Sequence, residues 1–125
     1  MNLENIKTYE DICKIDGVDP IKSLPYPNAT DSEETAVNSF AKVIRINRVL
    51  NDGWKPDWNN YEERKYYPWF DMEDYEGQSG AGFSCNYYVY GRAYSAVGSR
   101  LVYKTREIAE FAGQTFLEEY KCFMK

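Results

Sequence analysis

The chain contains no histidine. That removes the side chain that most often serves as general base near neutral pH, the triads built on it, and the usual ligand sets of zinc. Cysteine is sparse and dispersed: Cys13, Cys85 and Cys122, odd in number and without a CxxC spacing. Such a set neither frames a disulfide scaffold nor makes a good transition-metal site, and it predicts three buried, reduced thiols. No apolar run approaches the roughly 20 residues that span a bilayer, and no secretory core precedes Asn2-Leu3-Glu4-Asn5. A cytoplasmic protein without a membrane partner is expected. Positive charge is in deficit as well, with a net charge of −5. Non-specific nucleic-acid binding needs a positive field to displace phosphate counterions, so the balance argues against it. An acidic surface serves solubility first; mimicry of nucleic acid towards a basic protein is the minority reading.

What the chain does have is aromatic side chains. Of its 21, 14 lie between Trp54 and Tyr103, and all three tryptophans fall in the first sixteen positions of that stretch. At 125 residues the chain reads as a single domain, 1–125, able to bury enough surface without a metal or disulfide. Residues 1–29 divide into a short helix and a proline-containing linker; residues 30–125 form the core. Thr8 and Asp11 predict a capping box for a helix ending near Asp16-Gly17. Prolines 20, 25 and 27 make 19–29 extended, and Asn28-Ala29-Thr30 is a turn before the next helix rather than a glycosylation site. Thr30 and Glu33 predict the cap of a long helix, whose apolar residues from Ala36 to Leu50 recur at helical spacing and which Asn51-Asp52-Gly53 stops. Lys42, Arg45 and Arg48 share one face of it, expected to be solvated.

Lys65–Met72 reads as a strand with an edge or bulge at Pro68. Phe83–Tyr90 alternates, with Phe83, Cys85, Tyr87 and Val89 on the core face and Tyr88 and Tyr90 on the other. Gly91 is a candidate bulge, and Arg100–Lys104 is a third short strand. A final helix begins at Thr105. Gly113 inside it costs about 1 kcal/mol relative to alanine, which points to close approach of another backbone. Segregated helices and strands define the fold class: α+β, a small three-stranded antiparallel sheet packed against a long helix from the N-terminal half and a C-terminal helix.

No catalytic motif survives a test of its chemistry. The acidic residues Asp71, Glu73, Asp74 and Glu76 fail the EF-hand pattern, because Tyr75 and Glu76 occupy positions 5 and 6. A solvated loop is the default for 71–76, an adventitious cation the minor alternative. Gly77-Gln78-Ser79-Gly80-Ala81-Gly82 lacks the Lys-Ser/Thr ending of a P-loop and precedes a strand, and it does not match GxSxG. A flexible turn is expected. Carboxylates alone leave a hydrolase as the least favoured reading, so the chain is expected not to be an enzyme and to need no cofactor.

Four motifs carry a resemblance: Leu50-Asn51-Asp52-Gly53-Trp54-Lys55-Pro56-Asp57-Trp58, Tyr66-Tyr67-Pro68-Trp69-Phe70, Val97-Gly98-Ser99-Arg100-Leu101 and Ile108-Ala109-Glu110-Phe111-Ala112-Gly113. The segment from Leu50 to Phe123 resembles a small family of proteins from gut Bacteroidetes and their phages that has no assigned activity. The resemblance implies a phage or mobile-element context and an intracellular, accessory or host-interaction role. It implies no functional residues.

The aromatic stretch supplies those. Core packing absorbs Phe83, Tyr87, Leu101 and Tyr103. The candidate binding surface is Trp54, Trp58, Trp69, Tyr88, Tyr90, Arg92 and Arg100, with Lys55, Arg64, Lys65 and Lys104 interleaved. Rings beside guanidinium groups suit protein-interface hot spots and base-stacking platforms alike. The expected function is a non-enzymatic binding module acting on a protein partner, its own second copy being the simplest. The alternative is a protein that sequesters a nucleotide.

Overall fold

The computed structural model describes residues 2–73 and 83–125. Helix α1 (Tyr9–Asp16) starts on a reciprocal cap: Thr8 Oγ1 accepts the Asp11 amide at 3.3 Å, and Asp11 Oδ2 accepts the Thr8 amide at 3.0 Å. Gly17 ends it in the left-handed region, at φ 71°. Helix α2 (Ser32–Asn51) is capped by Asp31 and not by Thr30, because aspartate is the better acceptor for the first-turn amides. Asp31 Oδ1 takes the Glu34 amide at 2.8 Å, and Thr30 instead donates its amide and hydroxyl to Glu34 Oε1 at 3.0 and 2.9 Å.

The basic face of α2 is not a solvated stripe; it holds α1. Arg45 donates from Nε to Asp16 Oδ2 at 3.0 Å and from Nη1 to the Tyr9 hydroxyl at 2.8 Å and Ser23 Oγ at 3.1 Å. Arg48 Nη2 reaches Asp16 Oδ2 at 2.6 Å, and Lys42 Nζ lies 5.4 Å from the centre of the Tyr9 ring. The proline-containing linker is strapped to the same helix. The Tyr26 amide donates to Asn38 Oδ1 at 2.9 Å, and Asn38 Nδ2 donates to the Tyr26 carbonyl at 2.8 Å.

Strands β1 (Lys65–Asp71) and β2 (Ser84–Gly91) pair antiparallel, from Lys65 opposite Gly91 to Asp71 opposite Ser84. A third strand completes the sheet through one residue pair, Tyr66 with Tyr103: the Tyr66 amide donates to the Tyr103 carbonyl at 3.1 Å, and the Tyr103 amide to the Tyr66 carbonyl at 2.6 Å. The irregularity in the hairpin is not at Gly91. Trp69 faces Tyr87 while Phe70 faces Cys85, so the register skips Asn86. A bulge of this kind reverses the face of every residue on one side of it. Phe83 and Cys85 are buried as expected, but Tyr87 is 68% exposed, and Tyr88 shares the helix side with Pro68.

The C-terminal helix is two helices. Helix α3 (Arg106–Thr115) is capped by Thr105, whose Oγ1 accepts the Ile108 amide at 3.2 Å. Helix α4 (Leu117–Met124) follows a break at Phe116. The break lets α3 lie on the hairpin while α4 packs along α2, where Ser39 Oγ donates to the Glu119 carbonyl at 2.8 Å and Phe40 meets Phe123 edge-on. Gly113 makes the close approach its position implied, against side chains rather than backbone: a Cβ there would lie 2.5 Å from Cys85 Sγ and 2.6 Å from Pro68 Cβ.

The architecture is α+β, with one cluster of buried side chains running from Ile6 to Tyr120. At its centre Tyr103 and Tyr120 share a hydroxyl–hydroxyl hydrogen bond of 2.8 Å, and burial pushes both phenols well above their usual range. Cys13 and Cys85 are buried, but Cys122 is exposed, its Sγ 3.7 Å from the Thr35 carbonyl near the start of α2. The acidic residues Asp74 and Glu76 and the turn Gly77–Gly82 lie outside the described residues.

Candidate functional site

The seven candidate residues do not form one patch. They divide among three places, and the Asn86 bulge and the loop after α2 decide which.

The first is the end of the hairpin away from the 72–83 connection. Three guanidinium groups lie over three tyrosine rings there: Arg64 over Tyr90 at 4.7 Å, Arg92 over Tyr61 at 4.9 Å, and Arg106 over Tyr88 at 5.5 Å from each ring centre. Tyr66 joins two of the rings, at 5.6 Å from Tyr88 and 5.9 Å from Tyr90. The backbone beneath is fixed by Lys65, whose side chain is fully buried. Its ammonium donates to the carbonyls of Asn60 at 3.0 Å, Glu63 at 2.9 Å and Arg92 at 2.8 Å, stands 3.6 Å from Glu63 Oε1, and lies 5.3 Å from the centre of the Trp58 ring. Lys65 is therefore a structural cation and not part of a binding surface. A guanidinium over a ring face can still present its N–H edges to carboxylates. Arg106 already has one, Glu107 Oε1 at 3.7 Å, while Arg64 and Arg92 make no ion pair with another described residue.

The second place is a cleft of about 490 Å³ between the C-terminal part of α2, the loop after it, and the 98–100 turn. Trp54 and Arg100 line it, with Lys55, Arg48, Asn47 and Asn51. Asn47 and Asn51 donate from Nδ2 to the same Val102 carbonyl at 2.8 and 2.9 Å, and Asn51 Oδ1 accepts the Lys104 amide at 3.1 Å. Trp58 does not face this cleft's ligand space; its Nε1 donates to Ser99 Oγ at 2.6 Å and pins the rim.

The third place is the outer face of the hairpin. Trp69, 54% exposed, stands opposite Tyr87. The two border a recess of about 270 Å³ with Asp71 and Ser84.

Residues absent from the candidate set thus carry much of the geometry. Tyr61 and Arg106 complete two of the three ring stacks, and Tyr87 replaces Tyr88 on the outer face. Each depends on a contact between positions 18 to 31 apart in the chain, for which no local periodicity exists. The buried amides of Asn47 and Asn51 sit on the apolar face of α2, and their only sequence trace is their i, i+4 spacing. Among the described residues no three His, Cys, Asp or Glu side chains are grouped so as to hold a metal ion, and no helix is long and apolar enough to cross a membrane. No family model matches the chain, and neither does any curated protein or solved structure.

Proposed function

We propose that the chain is a non-enzymatic binding module that docks on a partner protein through the Arg–Tyr end of its hairpin. One observation carries the reading: Arg64, Arg92 and Arg106 each lie over a tyrosine ring at that end, 4.7 to 5.5 Å from its centre. Tyrosine and arginine are the residues that dominate interface hot spots. Here each arginine is ordered before a partner arrives, so less side-chain freedom is lost on docking. A partner fitting the surface offers carboxylates to the guanidinium edges and apolar groups to the ring faces; a second copy of the chain is its simplest form. The motifs around Trp54, Pro68, Gly98 and Gly113 favour an accessory protein of a phage or other mobile element, acting in the host cytoplasm.

The test is affinity capture with the wild-type chain and an Arg64→Ala/Arg92→Ala variant side by side. A protein retained by the first and lost from the second supports the reading. Identical capture by both, with the variant folded, removes it.

A further inference from the structure

The cleft beside Trp54 is separate from the docking end and has a different chemistry. In a chain of net charge −5 it gathers Arg48, Lys55 and Arg100, and no carboxylate lines it among the described residues. Arg48 is committed to Asp16. Lys55 and Arg100 make no ion pair with another described residue, so their charge is directed to whatever enters. Half-buried Trp54 supplies an aromatic wall. The floor is pre-formed, because Asn47 and Asn51 are fixed on the Val102 carbonyl and the rim is fixed by Trp58 and Ser99. A volume of about 490 Å³ falls within the range of small-ligand sites.

A ligand that uses all of these groups has a flat ring for the indole and a compact anion for the two free cations. We propose that the cleft binds a free nucleoside phosphate, with its base against Trp54 and its phosphate on Lys55 and Arg100. An extended nucleic acid is disfavoured by the acidity of the rest of the surface. The proposal does not depend on the protein-docking reading, and neither Lys55 nor Arg100 belongs to that surface.

The experiment is calorimetric titration of the whole chain with adenosine and guanosine mono- and diphosphates and their cyclic monophosphates. Inorganic phosphate and a thymidine oligonucleotide are run alongside. At least one nucleotide is expected to bind saturably and more tightly than phosphate or the oligonucleotide. Trp54→Ala is expected to weaken it roughly tenfold, in line with the loss of one stacked base. Lys55→Ala/Arg100→Ala is expected to weaken it at least as much; both side chains are exposed, so this variant reports even where Trp54→Ala fails to fold. No binding of any nucleotide at millimolar concentration overturns the proposal. So does tighter binding of phosphate or the oligonucleotide, or an affinity unchanged in the Lys55→Ala/Arg100→Ala variant.

Discussion

Lys65 shows how much a single side chain decides in this molecule. It is charged, fully buried and shared among three backbone carbonyls that would otherwise compete for water. Lys65→Met keeps the length and apolar stem but leaves those carbonyls without their donor. Equilibrium urea unfolding is expected to show a loss of about 2 kcal/mol, the scale set by a charged hydrogen bond and an orphaned buried acceptor. Gly113 decides the packing of α3. Its replacement by alanine gains about 1 kcal/mol of helix propensity but drives a methyl into Cys85 Sγ and Pro68 Cβ. The expected net result is a loss of about 1–2 kcal/mol by the same measurement. The sequence shows the second of these residues and hides the first. A glycine inside a helical pattern is locally anomalous and demands a packing reason. A lysine beside aromatic residues looks like any other surface cation, because the three carbonyls that bury it come from 60, 63 and 92.

Among the elements, α1 depends on α2 more than its own eight residues suggest. Helices this short are marginal alone. The junction is Asp16, whose carboxyl is held below the usual range, chiefly by the hydrogen bond from Arg48, with partial burial opposing and both arginine charges assisting. A lowered carboxyl contributes stability above its unfolded pKa of about 4 and loses that contribution as pH falls through the folded value. Asp16→Asn is therefore expected to cost about 1 kcal/mol at neutral pH, because solvent around Arg48, which is 61% exposed, screens the contact that shifts the carboxyl most. The gap to wild type should close as pH falls below about 4, read from urea midpoints across that range. At this scale the boundaries of α1, α2 and both strands were legible from caps, stops and alternation. The faces were not. The skipped Asn86 sends Tyr87 outward and brings Tyr88 to the helix side, and nothing in a run of alternating aromatics marks where such a bulge falls. The break at Phe116 is equally hidden, since the apolar stripe continues through it; it is tertiary packing on α2 that separates α3 from α4.

For the molecule as a whole, the aromatic stretch resolves into a core set, a stacked arginine–tyrosine end, a tryptophan-lined cleft and an open pair on the outer face. Density of aromatics was visible in the sequence, while its division among these places depends on contacts distant in the chain. If a second copy is the partner, sedimentation should give a multiple of 14.6 kDa, and Arg64→Ala/Arg92→Ala should return the mass of the lone chain. A lone-chain mass for the wild type at high concentration leaves a foreign protein as the partner. The central claim is that the arginines over the tyrosine rings are the docking surface, and quantitative capture from a cell extract tests it most directly. Wild type and Arg64→Ala/Arg92→Ala are compared at equal loading and matched melting temperature, with the chain's own copies counted among the captured proteins. A protein bound by the wild type and depleted at least about tenfold on the variant is the result expected from the loss of two hot-spot arginines. The same proteins in the same amounts on both would contradict it.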